Sequence, residues 1–126
     1  MFGEEEEWIV VSETIAIVIP PVPADDKKAW EEVSERLKLT GPRPVVFQEL
    51  CDLLTARYPD VSSFSKHEID HCVWSDGPLI RNFKFRAGVI RIRDRAEEVI
   101  PFVIETANAL GLITFVWCDH TIYRVE

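Results

Sequence analysis

The feature that most constrains the fold is an uninterrupted apolar run, Leu112–Cys118. A strand that faces water on one side alternates apolar and polar residues, whereas a strand covered on both faces is apolar throughout. The run follows Gly111 and precedes Asp119-His120, which favours a tight turn. It therefore predicts a central strand inside a layered domain.

Three helices are predicted by apolar residues at helical spacing and by the proline and glycine residues at their ends. Their predicted ranges are Asp25–Leu39, Pro44–Tyr58 and Asp94–Leu110. The pattern predicts Asp94 as the N-cap of the third helix, with Glu97 as the acid three residues later. Pro101 conflicts with a straight third helix, so we expect a kink or a later start there.

The remaining strands are predicted from runs rich in Ile and Val. These are Trp8–Val11 with Thr14–Ile19, Leu79–Phe85, Ala87–Arg93 and Thr121–Val125. The order β-α-α-β-β-α-β-β predicts an α+β fold, with helices on one face of a mainly antiparallel sheet in a ferredoxin-like variant. The predicted common core comprises Ile15, Ile17, Val99, Phe102, Val103, Leu110, Ile113, Phe115 and Trp117.

Length and composition indicate one domain over residues 1–126, with residues 1–7 as a frayed acidic terminus. The formal net charge of −8 argues against nucleic-acid binding, because phosphate contacts need Lys and Arg. No apolar run is long enough to span a bilayer, and Glu4–Glu7 stands where a signal peptide would be basic. Three scattered cysteines suit reduced thiols, so we expect a cytoplasmic protein.

One short motif could carry metal chemistry. His67-Glu68-Ile69-Asp70-His71 matches the H-E-x-x-H pattern, in which two histidines one helical turn apart bind zinc and the glutamate activates water. His120 could supply a third ligand. The competing interpretation is a capping box from Ser65 to Glu68, which needs no metal. We favour the capping box and expect neither a metal nor another cofactor.

A second segment, Trp74–Pro78, could contact a partner. A tryptophan beside acids on an irregular loop is a good protein-contact element, and the alternative is a tryptophan that fills the edge of the core. From this segment and the acids before it, the predicted partner-binding residues are Asp70, Trp74 and Asp76. Cys118-Asp119-His120 offers a weaker nucleophilic arrangement, for which a buried strand-end cysteine is the simpler interpretation.

Two strings carry a resemblance to a family. VWSDGPLI at Val73–Ile80 and VIPFVIETANALG at Val99–Gly111, with Ile122-Tyr123-Arg124 near the end, resemble a pattern in small bacterial immunity-like proteins associated with polymorphic or secreted toxins. The resemblance implies a cytoplasmic bacterial protein with a toxin partner, and it carries no catalytic residues. The pattern has acids where this chain has His67 and His71, which weakens the zinc hypothesis.

Three functions are therefore compatible with the sequence. The first is a non-enzymatic binding protein, an immunity-type inhibitor whose cognate toxin would be basic, since opposite charges steer association. The second is a small metal-dependent hydrolase built on the His67–His71 segment. The third is a structural or regulatory protein that acts as a homo-oligomer, such as a homodimer.

Overall fold

The computed structural model describes residues 13–125, and the predictions for residues 1–7 and for Trp8–Val11 lie outside them. Within these residues the elements in chain order are β1 (Glu13–Val18), α1 (Asp26–Lys38), α2 (Val45–Arg57), β2 (Ala87–Ile92), α3 (Ala96–Ala109), β3 (Ile113–Val116) and β4 (Thr121–Tyr123). The four described strands form one antiparallel sheet in the order β2-β1-β3-β4. The α+β class and the antiparallel sheet are confirmed.

The predicted central strand lies inside the sheet. Ile113–Val116 forms β3 between β1 and β4, and every residue of it is buried. Side chains alternate between the two faces of a strand. In β1, Ile15 and Ile17 therefore belong to one core cluster, and Ala16 and Val18 belong to the other. Both faces of the sheet are covered, as the continuous apolar run requires.

The helices divide between the two faces, which corrects the prediction that they share one. The cluster containing Ile15 and Ile17 includes buried residues of α2 and α3, whereas Ala29 and Val33 of α1 pack with Ala16 and Val18. Layers on both faces remove the apolar side chains of β1 and β3 from water, which one helical layer cannot do.

The predicted common core is wrong in three positions for the same reason. Ile113 and Phe115 point to the α1 face, opposite Val99 and Val103. Trp117 lies just beyond β3 and is 41% exposed. The one-residue alternation of a strand therefore separates neighbours that a single core would have joined.

The predicted element order holds, but the strand expected at Leu79–Phe85 is reduced to one bridge. Leu79–Asn82 forms a 3-10 turn, and only Phe83 pairs, with Gly88 of β2. Two other short 3-10 turns, Val61–Ser63 and Ile69–His71, lie in the irregular segment before it.

The topology contains one split β-α-β unit. β2 and β3 both run antiparallel to β1, so they are parallel to each other, with α3 connecting them and β1 between them. A ferredoxin-like sheet contains two such units, and within residues 13–125 this sheet contains one. The helix α1 on the opposite face is a further departure from that arrangement.

The helix ends follow the sequence closely, with one correction. Asp25 caps α1 by accepting a hydrogen bond from the Lys28 backbone N–H at 3.0 Å. The third helix is capped instead by Arg95, which is left-handed with φ 56°, and Asp94 precedes it. Pro101 lies inside α3 on its exposed side. None of the helices within residues 13–125 is both long and apolar enough to cross a bilayer.

Candidate partner-binding groove

The three predicted partner-binding residues separate into two environments. Asp70 and Asp76 are exposed, and Asp76 accepts a hydrogen bond from Asn82 and lies 3.6 Å from the Arg91 guanidinium. Trp74 is fully buried, and its indole N–H donates to the Tyr58 carbonyl at 2.8 Å. The prediction that Trp74 is a surface anchor is therefore wrong, because the apolar ring fills the core and its one polar atom is already bonded.

The His67–His71 segment lacks the helix that a zinc motif needs. Only Ile69–His71 is helical, as a single 3-10 turn, and both histidines are exposed. Glu68 accepts a hydrogen bond from the Ser65 hydroxyl at 3.1 Å and a longer one from the Ser65 backbone N–H. The second bond is the glutamate half of a capping box, whereas the Glu68 N–H donates to the Ser65 carbonyl and not to its hydroxyl. Among residues 13–125, no three side chains of the metal-binding types cluster together.

A groove of about 600 Å³ opens between α3 and the hairpin formed by β3 and β4. Its lining is mainly apolar, and its polar members are acidic apart from the Cys118 thiol and the Tyr123 hydroxyl. The lining residues are Ala96, Glu97, Ile100, Pro101, Ile104, Glu105, Cys118, Asp119 and Tyr123. We call this feature the α3–hairpin groove.

The helix α3 supplies the floor because it carries two apolar stripes. Val99, Val103 and Ala107 recur at helical spacing and are buried against the sheet. Ile100 and Ile104 sit one position later on the helix and are only half-buried. The core covers the second stripe only in part, so some of its apolar surface remains exposed.

The rim of the groove is negatively charged. Glu97 and Glu105 lie on α3, Asp119 lies on the turn between β3 and β4, and no Lys or Arg is among the described residues that line the groove. The Tyr123 hydroxyl donates to the Asp119 carboxylate at 3.0 Å, and this hydrogen bond raises the pKa of Tyr123. The apolar floor and acidic rim together suit a basic, amphipathic ligand.

The thiol at the groove is exposed but not activated. Desolvation, followed by the nearby carboxylates of Glu13 and Asp119, raises the pKa of Cys118. A thiol with a raised pKa stays protonated at neutral pH and is a weak nucleophile. The interpretation of Cys118 as a buried strand-end cysteine is thus corrected, and the groove holds no activated nucleophile among its described residues.

Across the sheet from the groove, the same hairpin turn carries aromatic residues. His120 stacks on Trp30 with ring centroids 4.3 Å apart, and Trp117 meets the edge of Trp30 at 5.1 Å. His120 therefore lies on the α1 side, stacked on Trp30 rather than joined with His67 and His71. The acids Asp26 and Glu31 border this aromatic patch, together with Lys27.

Comparisons with known proteins add no identification. No family model, curated protein or solved structure matches this chain.

Sequence reasoning missed the α3–hairpin groove. Ile100 and Ile104 fell outside the stripe assigned to the core, and Asp119 was interpreted as a turn residue. The available signal was the second apolar stripe on α3, flanked by Glu97 and Glu105. Its apposition to Tyr123 depends on the tertiary fold.

Proposed function

We propose that this protein is a non-enzymatic binding domain, an immunity-type inhibitor that binds a basic bacterial toxin through the α3–hairpin groove. The observation that carries the proposal is the pairing of an apolar floor with an acidic rim in which, among residues 13–125, no basic residue takes part. Apolar burial would supply affinity, and complementary charge would supply selectivity and a fast association.

The net charge of the whole chain supports the same choice of partner. A formal charge of −8 attracts a cationic protein and repels a second copy of this chain. The homodimer is therefore disfavoured at this groove, since two acidic rims would face each other. The hydrolase is disfavoured because His67 and His71 do not share a helix.

The resemblance to immunity-like proteins is the reason for naming a toxin as the partner class. It rests on the strings at Val73–Ile80 and Val99–Gly111. The second string includes Ile100, Pro101, Ile104 and Glu105 of the groove lining. The segment that carries the resemblance thus also supplies part of the surface to which a partner would bind.

Charge reversal at the rim tests the proposal. The measurement is association kinetics with candidate toxins at two salt concentrations, together with protection of cells that co-express the toxin. Glu97→Lys with Glu105→Lys should slow association about tenfold or more at low salt, and the effect should shrink as salt screens the charges beyond about 8–10 Å.

The matched control reverses two acids on another surface. Asp70→Lys with Asp76→Lys changes the net charge equally but lies in the irregular loop that the sequence first indicated. We expect a much smaller effect from this pair. If it slows association as much as the groove pair, long-range charge alone explains binding. If only the loop pair acts, the interface lies at Asp70 and Asp76 and not at the groove.

A further inference from the structure

The outer edge of β4 is open beside the α3–hairpin groove. Within residues 13–125, β4 pairs only with β3, whereas the other edge strand, β2, is bridged by Trp74 and Phe83. An unpaired edge presents backbone N–H and C=O groups that can bond to another strand. The two edges of this sheet therefore differ, and β4 is the accessible one.

The hydrogen-bond alternation identifies which residue of β4 faces outward. The Trp117 N–H donates to the Thr14 carbonyl and therefore points towards β1, whereas the Trp117 carbonyl accepts from the His120 N–H within the hairpin turn. Because directions alternate along an antiparallel strand, Thr114 and Val116 bond instead to their partners in β4, Tyr123 and Thr121. The backbone N–H and C=O of Ile122 are then directed at the open edge.

The surfaces on either side of that edge alternate as well. Thr121 and Tyr123 lie on the same face of the sheet as the groove, whereas Ile122 packs with the cluster under α1. A strand added beyond β4 would point every second side chain over the groove and the others past Ile122. The first set would lie over Ile100 and Ile104 and reach the acids of the rim.

From this geometry we propose that the partner binds by strand addition: an extended segment pairs with β4 and alternates basic with apolar side chains. Lys or Arg side chains fit the groove face, because their aliphatic stems cover the apolar floor and their charges reach Glu97, Glu105 and Asp119. Apolar side chains fit the Ile122 face. The inference rests on the proposed use of the groove and adds the backbone pairing to it.

Two capped eight-residue peptides of equal composition test the pairing. One alternates lysine and valine, and the other has four lysines followed by four valines. Both peptides carry the same charge, so charge alone cannot distinguish them. Only the first can place all of its lysines on one face of a strand. We expect the alternating peptide to bind about tenfold more tightly by fluorescence anisotropy, because a strand pairing places all of its lysines on the groove face and all of its valines on the other.

The decisive variant is Ile122→Pro. Proline is tolerated on an edge strand where its missing N–H faces solvent, and it removes the donor at the open edge. It should weaken the alternating peptide to the level of the block peptide. Ile122→Ala is the matched control, because it trims the same side chain and keeps the N–H; we expect its affinity within about threefold of the parent.

A measurement on the unaltered chain covers the case in which Ile122→Pro does not fold. Exchange of the Ile122 amide hydrogen should slow when the alternating peptide is bound, since a new hydrogen bond protects it. Unchanged exchange on saturation, or equal affinity for the two peptides, would overturn strand addition. So would a concentration-dependent dimer abolished by Ile122→Pro, because a second copy would then occupy the edge.

A last pair of variants separates this inference from the proposed function. Glu97→Gln with Glu105→Gln should weaken both peptides if the groove attracts basic chains. If that happens while Ile122→Pro has no effect, the groove remains the binding surface and strand addition is wrong. If the groove pair has no effect but Ile122→Pro does, the edge binds strands without the groove, which contradicts both proposals.

Discussion

The Trp74 side chain shows how one residue ties the irregular segment to the core. Its ring is fully buried and meets the Tyr58 ring edge-on at 6.2 Å, while its indole N–H bonds to the Tyr58 carbonyl. Its backbone bridges to Ile92 of β2. One residue thus connects the end of α2 to the edge of the sheet.

Replacing Trp74 should cost stability and leave binding unchanged. We expect Trp74→Phe to lower the free energy of unfolding by about 1–3 kcal/mol, because the buried Tyr58 carbonyl loses its donor. Trp117→Phe, at an exposed position, should cost less than about half of that. Urea denaturation gives both values. The prediction is contradicted if Trp74→Phe leaves stability unaltered and weakens binding to a partner, because Trp74 would then belong to the interface.

At the scale of elements, the edge strand β2 forms isolated backbone bridges with the segment that precedes it in the chain. Phe83 pairs with Gly88 of β2, and its ring lies where a Gly88 side chain would be. A Cβ added at Gly88 would lie 2.6 Å from the Phe83 Cγ. Phe83 itself is buried and packs on Phe47 of α2 at 4.8 Å. The absence of a side chain at Gly88 thus allows α2 to be linked to the sheet.

Adding that side chain should displace Phe83. Gly88→Ala should destabilise the fold by about 1–3 kcal/mol through overpacking. Gly111→Ala provides the control, because Gly111 has a φ of 81° and open space around its added Cβ, so only backbone strain results. In a Phe83→Ala background, the cost of Gly88→Ala should fall and that of Gly111→Ala should not. The free energies of unfolding come from urea denaturation. If Phe83→Ala leaves the cost of Gly88→Ala unchanged, as it should that of Gly111→Ala, the contact between Phe83 and Gly88 is contradicted.

At the scale of the molecule, β1 belongs to both cores. Ile15 and Ile17 face α2 and α3, and Ala16 and Val18 face α1. Neither core can lose β1 without exposing the other face of the same strand. The two layers should therefore unfold together, although the groove and the aromatic patch lie on opposite sides of the sheet.

The indole N–H signals of Trp30 and Trp74 report on the two layers separately. Trp30 lies against Phe115 on the α1 face, and Trp74 belongs to the opposite cluster. We expect their native NMR signals to disappear at the same urea concentration, as in a two-state transition. Loss of the Trp30 signal at a clearly lower concentration would show that α1 unfolds independently.

The local features were predictable from the sequence because they depend on neighbouring residues. Asp25 and Pro44 mark the starts of α1 and α2, and the apolar run at Leu112–Cys118 became the central strand β3. The pairing of Ser65 with Glu68 also follows from the sequence, although it forms only the glutamate half of the predicted capping box. Each follows from chain geometry and backbone hydrogen bonding over a few residues.

The tertiary structure decided what distant residues do to one another. An apolar run implies two covered faces, but which helix covers which face depends on how the chain crosses the sheet. Trp74 is buried although Ser75 and Asp76 follow it, because its backbone bridges to Ile92 and its indole N–H bonds to the Tyr58 carbonyl. The groove depends on the pairing of β4 with β3, because this pairing places Tyr123 opposite Ile100 and Ile104 of α3. Local pattern sets what each segment can bury, and long-range packing sets which surplus apolar surface stays exposed.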